Sequence, residues 1–313
     1  MMICSFYLKK LFSRGEKGMY SLNSEYINSD LTTAYADIFD MVQLFCRNNV
    51  SFTDDEKNKK MFSIRANPII YDEVTYRAIV FTIRSGAYGI ESDMTNRKTK
   101  QVKYRRGSDD ADIKDFKCVM FVPKDEEGIE ITKGILIFQT IATYGVKSIT
   151  TKKMGEFFVN LGLKLETRSV SVRAFIDKLV KQGTLNKVTL IKNAISHNDA
   201  DNMLINTGRE EISYFKPQFQ PGWFQELLLL FDRAEHTTVY EIEGKSYEDI
   251  KVEFKLGKRY RTVGLRYIDR FSVVEDIPDT IYKNGIFKEE ILINYMIETA
   301  VEYMKQMLFA IEK

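Results

Sequence analysis

Histidine, cysteine and proline are all scarce in this chain of 313 residues, which contains 2 His, 3 Cys and 5 Pro. The two histidines, His197 and His236, lie far apart, which excludes HExxH metalloproteases and two-histidine zinc fingers. The cysteines, Cys4, Cys46 and Cys118, form neither a CxxC pair nor a metal-type cluster. We therefore expect them to be small buried thiols of a protein that resides in the reducing cytoplasm.

Long apolar runs and the common catalytic loops are missing as well. No apolar run is longer than that at residues 227–231, which is too short to cross a bilayer, so we expect no membrane insertion. The apolar stretch within residues 1–11 follows no basic region, which argues against a signal peptide. The sequence contains no GxxxxGK[ST] loop, no GxGxxG fingerprint and no GxSxG elbow. These absences give no indication of a nucleotide cofactor or a serine nucleophile, and we predict no cofactor.

The first 18 residues raise a question about the start of the protein. Residues 14–19 read Arg-Gly-Glu-Lys-Gly-Met, and purine-rich codons for such a run would resemble a ribosome-binding site. One hypothesis is therefore that Met19 is the biological start.

Apolar residues make up 44% of the chain, enough to build the core of a globular protein with two lobes. Continuous apolar runs at 118–122 and 135–138 predict buried strands. Asp30 is placed to open one helix, Thr150 to cap a second, and residues 288–311 predict a long terminal helix. The alternation of strands and helices is typical of α+β or α/β proteins, and we predict an α+β fold with mixed or antiparallel sheets and packed helices.

A polar stretch with two prolines, residues 194–222, is typical of a junction between lobes. We therefore expect an N-terminal α+β lobe at 1–193, a connecting segment at 194–222, and a C-terminal lobe at 223–313 that holds a helix, strands and the long terminal helix.

The long terminal helix is apolar over more than half of its circumference, which predicts a homodimer. A single lobe that covers one face would leave Tyr295, Met304 or Leu308 in water. The alternative is that the sheet of the C-terminal lobe and the N-terminal helix enclose this helix within one chain.

The formal net charge is only +2, yet cations are concentrated in two blocks. Residues 97–106 hold six cations and no acid, and residues 251–270 hold seven cations against two acids. Lysine and arginine follow phosphates, and tyrosine stacks on bases. We predict nucleic-acid contacts from both blocks, through Arg97, Lys98, Lys100, Lys103, Tyr104, Arg105, Arg106, Lys258, Arg259, Tyr260, Arg261 and Arg266. The alternative for each block is an ordinary charged hairpin that faces solvent.

No helix-turn-helix or RNA-recognition core motif accompanies these blocks, so the predicted binding is led by the phosphate backbone and is weakly sequence-specific. DNA is the favoured partner.

An acid-x-lysine tripeptide at 253–255 provides an enzymatic alternative. In metal-dependent nucleases, carboxylates hold Mg²⁺ and a lysine steadies the attacking water. Glu253 and Lys255 would fill these roles, with Glu241 or Glu243 as the second acid. A solvated strand explains the same tripeptide. Our first hypothesis therefore contains no catalytic residue.

A short loop around His197 also carries two acids, Asp199 and Asp201, which are suited to share a cation. A solvated loop accounts for the same residues, and we predict no metal site.

The order of the predicted elements points to one family. An N-terminal helix precedes a β-rich region; residues 112–116, Asp-Ile-Lys-Asp-Phe, then lead into strands 119–122 and 135–138. A threonine-capped helix with Glu-Phe-Phe at 156–158 follows, and strands precede the long terminal helix. This order resembles the RexA-like phage-exclusion proteins and, more loosely, other small proteins of bacterial antiphage defence. The resemblance implies a cytoplasmic, dimeric DNA-binding protein that acts with a partner protein; it carries over no site residue.

Three hypotheses follow. The first is a cytoplasmic, non-enzymatic nucleic-acid-binding protein of an antiphage-defence system. The second is a metal-dependent nuclease effector. The third is an interaction module whose basic ribbons contact an acidic protein of a defence complex.

Overall fold

The structure is a computed structural model, and it describes most but not all of the chain. The described residues are 1–11, 18–27, 33–125, 129–141, 144–170, 184–192, 210–218, 240–242, 245–247, 249–256, 259–264, 273–274, 277, 281–283 and 286–309. For a few of them, including 240–242, 259–261 and 306–309, only the backbone is described.

Contacts between residues divide the chain into two compact units. The first unit comprises Met1–Val170 and Ser272–Lys313, and the second comprises Ser171–Phe271. The chain leaves the first unit after Val170 and returns to it at Ser272. This division differs from the expected lobes at 1–193 and 223–313, because the terminal helix belongs with the N-terminal half and residues 194–222 belong to the second unit.

The described residues form short and long strands with three α-helices. In chain order the strands are β1 (Met2–Lys10), β2 (Tyr26–Ile27), β3 (Ala34–Tyr35), β4 (Thr53–Asp55), β5 (Lys60–Ile64), β6 (Ile69–Asp72), β7 (Tyr76–Ala87), β8 (Ser92–Thr95), β9 (Val102–Arg106), β10 (Lys114–Pro123), β11 (Gly134–Phe138), β12 (Thr140–Ile141), β13 (Tyr144–Gly145), β14 (Leu163–Ser169), β15 (Thr184–Lys192), β16 (Glu210–Phe215), β17 (Tyr240–Ile242), β18 (Lys245–Tyr247), β19 (Asp249–Leu256), β20 (Arg259–Gly264), β21 (Val273–Val274), β22 (Tyr282–Lys283) and β23 (Ile286–Phe287). The helices are α1 (Ile38–Asn48), α2 (Lys147–Asn160) and α3 (Glu289–Phe309). The predicted α+β class is confirmed.

A large antiparallel sheet organises the first unit. Its strands follow the order β14-β1-β11-β10-β7-β5-β4. Strand β6 pairs with β7 beside residues 77–80, whereas β5 pairs beside residues 83–87, so the two lie one after the other along one edge of β7. In the same way β21 follows β14 along one edge of β1.

Both faces of the large sheet are buried, which explains the continuous apolar runs along its central strands. Even-numbered residues of β10, such as Cys118 and Met120, share a core with α1 and α2. The opposite face carries buried Val119, and α3 packs over β10 and β11 there. The strands predicted at 118–122 and 135–138 are confirmed and lie within β10 and β11.

Helix α3 is buried within its own chain rather than left in water. Its buried side chains include Leu292, Met296 and Met304, of which Met304 is only 4% exposed. The expectation that a single chain would leave Met304 in water is therefore wrong, because this side chain is buried within its own chain. The exposed positions of the helix are mostly polar: Asn294, Glu298, Glu302 and Lys305. The side chain of Leu308 lies outside the described residues.

Strand β1, which no sequence pattern predicted, is an internal strand of the large sheet and lies next to the edge strand β14. It pairs with β11 through residues 2–6 and with β14 through residues 4–10. Ile3, Cys4 and Leu8 are fully buried. A chain that began at Met19 would lack this strand, so the structure argues against the hypothesis of a start there.

Helix α1 begins at Ile38, later than the helix expected from Asp30, which lies outside the described residues. The carboxylate of Asp37 accepts hydrogen bonds from the backbone N–H groups of Phe39 (2.8 Å) and Asp40 (3.2 Å), as an N-cap does. Its other oxygen binds the guanidinium of Arg77 on β7. A cap held from the sheet therefore sets the start of the helix.

The three cysteines are free and buried, as predicted. Burial raises the pKa of the Cys4 thiol to about 11 and that of Cys46 to about 12. The thiols therefore stay protonated at neutral pH, which makes them poor nucleophiles.

The second unit contains a four-stranded antiparallel sheet in the order β16-β15-β19-β20. Val188, Leu190, Ile250, Val252 and Phe254 are buried on β15 and β19. Across the described parts of both units, no helix is long and apolar enough to span a membrane.

A charged cluster joins β1 to β14 at the surface of the large sheet. The Tyr7 hydroxyl donates a hydrogen bond to Glu166, and Lys164 Nζ lies 2.9 Å from the same carboxylate. The hydrogen bond from Tyr7, followed by that from Lys164, lowers the pKa of Glu166 to about 2. Because the folded-state pKa lies below the ordinary 4.5, the stabilisation is complete above pH 4.5 and is lost as the pH falls towards 2.

We expect Glu166→Gln to lower the free energy of unfolding by about 1 kcal/mol at pH 7, since the carboxylate is partly exposed and solvent screens it. The difference from wild type should shrink as the pH drops from 5 to 2, as measured by urea denaturation at several pH values. Glu156→Gln is the control, because this exposed carboxylate lies 3.9 Å from its nearest cation, Lys153. A difference between wild type and Glu166→Gln that stays constant down to pH 2 would contradict the assignment.

Candidate nucleic-acid interface

The first basic block forms a two-stranded ribbon. Residues 88–113 connect β7 to β10, which are neighbours in the large sheet, and β8 and β9 pair with each other within this connection. Met94 lies opposite Tyr104 and Asp93 lies opposite Arg105. We call residues 92–106 the basic ribbon. It pairs as a separate two-stranded sheet and does not extend the large sheet as an edge strand.

Asn96 organises the turn at the tip of the basic ribbon. Its side-chain oxygen accepts hydrogen bonds from the backbone N–H groups of Lys98 (2.8 Å) and Thr99 (3.0 Å). The backbone N–H of Lys100 donates to the Asn96 carbonyl at 2.8 Å, and Lys100 has a left-handed φ of 62°. This turn places Arg97, Lys98 and Lys100 together at the tip.

The base of the basic ribbon is held against the end of β7. The N–H of Gly89 donates to the Ser108 carbonyl at 2.7 Å, and the N–H of Asp112 donates to the Ala87 carbonyl at 3.2 Å. A Cβ atom on Gly86 would lie 2.0 Å from the Asp112 carbonyl oxygen, so only glycine allows this approach. These contacts fix where the ribbon leaves the sheet.

The cations of the basic ribbon differ in how they are engaged. Arg97, Lys98, Lys100 and Lys103 are exposed, and no described carboxylate lies within ion-pair distance of them. Arg105 pairs with Asp93 at 3.3 Å, and Arg106 donates to the Ala87 carbonyl at 3.3 Å. Four of the six predicted cations are therefore unpaired within the described residues, and Arg106 also supports the base of the ribbon.

The two faces of the basic ribbon have different chemistry, because successive residues of a strand point to opposite sides. Met94 and Tyr104 share one face and are 57% and 53% exposed, whereas Asp93 and Arg105 lie on the other face. The register of the two strands shifts between Met94 and Thr95, so the alternation is interrupted next to Tyr104, where Val102 is 56% exposed.

Tyr104 is held in place through its hydroxyl group. The hydroxyl donates a hydrogen bond to Asp110, whose carboxylate also accepts from the backbone N–H of Gly107 at 2.8 Å. This hydrogen bond raises the pKa of Tyr104 and lowers the pKa of Asp110. The ring remains half exposed, so its face is available for contact.

The second basic block is described only in part. Arg259, Tyr260 and Arg261 lie on β20, an edge strand of the four-stranded sheet, but their side chains are outside the described residues. Lys258 and Arg266 also lie outside. The contribution of this block to binding stays a prediction.

The acid-x-lysine tripeptide lies on β19, with Glu253 and Lys255 on one face of the strand. Glu253 accepts hydrogen bonds from the Asn186 amide (2.5 Å) and the Thr262 hydroxyl (3.4 Å). Glu241 lies on β17, which pairs with β18 in a separate small sheet, and its side chain is not described. Glu243 lies outside the described residues.

A metal-dependent nuclease would also need a group of side chains that bind the metal ion. No group of three histidine, cysteine or acidic side chains is placed to hold a metal ion in the described parts of the chain. His197, Asp199 and Asp201 lie outside those parts. The two described hydrogen bonds to Glu253 come from neutral donors.

A cleft of about 450 Å³, which no sequence motif indicates, opens where β5 ends and β6 begins. Arg65 Nη2 lies 2.6 Å from Asp115, and Lys117 contacts both Thr82 and Glu289. These charges come from separate segments and neutralise one another, so the cleft presents little net charge to a ligand.

Comparisons with known proteins add no family assignment. No protein-family model matches the sequence, and no curated protein matches it significantly.

Proposed function

We propose that this protein binds nucleic acid, with DNA the favoured partner, and that the basic ribbon is its principal contact. The observation that carries the proposal is the group of four exposed cations, Arg97, Lys98, Lys100 and Lys103, that lack a described carboxylate partner. Lysine and arginine side chains on a ribbon can follow phosphates without reading base edges. Binding is therefore led by the backbone and is weakly sequence-specific.

The cellular setting belongs to the same proposal. The order of elements resembles RexA-like phage-exclusion proteins, and this supports a cytoplasmic role in bacterial antiphage defence with a second protein of the system. Homodimerisation is also part of the proposal, but helix α3 no longer supports it, since Met304 is buried within the chain.

Charge reversal of the basic ribbon tests the proposal. We expect Lys98→Glu, Lys100→Glu and Lys103→Glu together to weaken DNA binding at least tenfold at low salt, because each lost phosphate contact also loses counterion release. On a log–log plot of affinity against salt, the slope should fall by about 0.9 for each contact with duplex DNA. Fluorescence anisotropy with a labelled duplex at several salt concentrations measures both quantities.

The matched control reverses three exposed lysines elsewhere on the first unit: Lys10, Lys288 and Lys305. It changes the net charge equally, so a loss specific to the ribbon is separated from a general effect of charge. Equal losses and equal slopes in both variants would remove the ribbon from the interface.

The same assay distinguishes the nuclease alternative when it is repeated with Mg²⁺ or Mn²⁺. Cleavage that disappears in both Glu253→Gln and Lys255→Ala, with binding retained, would favour a metal-dependent nuclease. Tight binding of an acidic protein, without binding of nucleic acid, would favour an interaction module.

A further inference from the structure

The apolar face of the basic ribbon has no role in phosphate contact. Met94 and Tyr104 lie directly opposite each other across the two strands, and Val102 lies two residues before Tyr104 on β9. All three are more than half exposed. Large apolar side chains that cluster on an exposed surface mark a contact site.

The three side chains offer little to the edges of paired bases. Met94 and Val102 have no hydrogen-bond donor, and Tyr104 already donates its hydroxyl hydrogen to Asp110. A two-stranded ribbon fits the major groove of a duplex, but the base edges there present donors and acceptors that need polar partners. An apolar face pressed against those edges would leave them unsatisfied.

Unpaired bases present the opposite chemistry. Each base has a flat apolar face, and such faces stack on aromatic side chains regardless of sequence. The hydrogen bond from Tyr104 to Asp110 holds the ring while leaving it half exposed, so little rotational freedom is lost when a base stacks on it.

The cations of the basic ribbon suit the phosphates of such a strand. Paired strands lie only about 4.8 Å apart, so the ribbon is narrow and long side chains can extend beyond its edges. Lys103 neighbours Tyr104 on β9, and Lys100 lies at the adjoining turn. Neither has a described carboxylate partner. Apolar contacts for bases and cations for phosphates thus occur on one small element.

We infer that the basic ribbon binds single-stranded nucleic acid in preference to duplex, with a base stacked on Tyr104 against Met94. This inference rests on the proposed function and specifies its substrate class.

Tyrosine substitutions test the inference. At a fixed salt concentration, wild-type protein should bind a labelled pyrimidine-rich single strand at least tenfold more tightly than the duplex of the same sequence. Tyr104→Ala should weaken single-strand binding about tenfold, the typical loss for one stacked base, without changing the salt slope. Tyr104→Phe keeps the ring and should stay within threefold of wild type. Tyr144→Ala, which removes another half-exposed tyrosine of the first unit, should have no effect.

A second readout locates the contact directly. A single strand that carries halogenated pyrimidines should crosslink under ultraviolet light to the peptide containing Tyr104, as identified by mass spectrometry. Circular dichroism and thermal denaturation check that each variant is folded.

The outcomes separate the two proposals. Binding that depends on Lys98, Lys100 and Lys103 but favours duplex, or that Tyr104→Ala leaves unchanged, overturns the single-strand inference and leaves the proposed function standing. Absence of binding to any nucleic acid overturns both.

Discussion

A chain that begins at Met19 will not form the native structure, because it lacks β1. This strand pairs with β11 on one side and with β14 on the other. Each large apolar side chain that is fully buried contributes about 1.5–3 kcal/mol. Ile3, Phe6 and Leu8 are all buried, and the total stability of a domain is only about 5–15 kcal/mol. Loss of the strand therefore removes most or all of that stability and exposes two unpaired strand edges.

The measurement compares purified chains 1–313 and 19–313 by size-exclusion chromatography, circular dichroism and urea denaturation. We expect cooperative unfolding for the first chain, and aggregation or no cooperative transition for the second. The control is full-length Met19→Leu, a volume-conserving change that removes an internal start and should cost less than about 1.5 kcal/mol. A cooperative, monodisperse 19–313 chain would instead restore Met19 as a candidate start.

Gly134→Ala should lower the free energy of unfolding by about 3 kcal/mol, the upper part of the range for overpacked cores. Gly134 lies opposite Phe6 in the pairing of β1 with β11. A Cβ atom there would be 2.5 Å from the Phe6 ring and 2.8 Å from the Phe121 carbonyl oxygen. The ring is buried and the carbonyl belongs to the sheet, so neither can move away freely.

Two glycines provide matched controls for urea denaturation. Gly145→Ala, also on a strand, would place its Cβ 3.6 Å from Thr140, an ordinary contact, and should change stability by less than about 0.5 kcal/mol. Gly155→Ala lies in α2 with no atom within 4 Å and should stabilise by about 0.5–1 kcal/mol. Adding Phe6→Leu to Gly134→Ala should recover part of the loss, since it makes room for the methyl group. A Gly134→Ala protein as stable as the Gly145→Ala control would show that the core can relax there.

The sequence left two interpretations of the terminal helix open: cover by a second subunit or cover by its own chain. The broad apolar surface of the helix correctly required cover on more than one side. Whether a second subunit or the same chain supplies that cover depends on contacts between residues far apart in sequence. Val119 on β10 and Met296 on α3 are both buried in one chain, so part of the cover is internal.

The residue at which helix α1 begins also depends on a contact with a residue far away in the sequence. Asp30 and Asp37 are equally good N-caps by residue type. Asp37 caps α1, and it is bound by Arg77, which is 40 residues away on β7. No sequence pattern near Asp37 indicates that Arg77 binds it.

The apolar runs at 118–122 and 135–138 determined two central strands by themselves, because a strand covered on both faces needs apolar residues at every position. The charge pattern likewise showed where cations concentrate, since six cations without an acid between residues 97 and 106 are visible in the sequence alone. Tertiary structure alone decided that β1 completes the large sheet and that Gly86 and Ala87 hold the base of the ribbon. It also decided that Tyr104, fixed by Asp110, shares an exposed face with Met94. The physical reason is that the burial of a strand and the clustering of charge can be recognised from consecutive residues. Strand pairing and close contacts between segments instead depend on residues that are distant in the sequence and that only folding brings together.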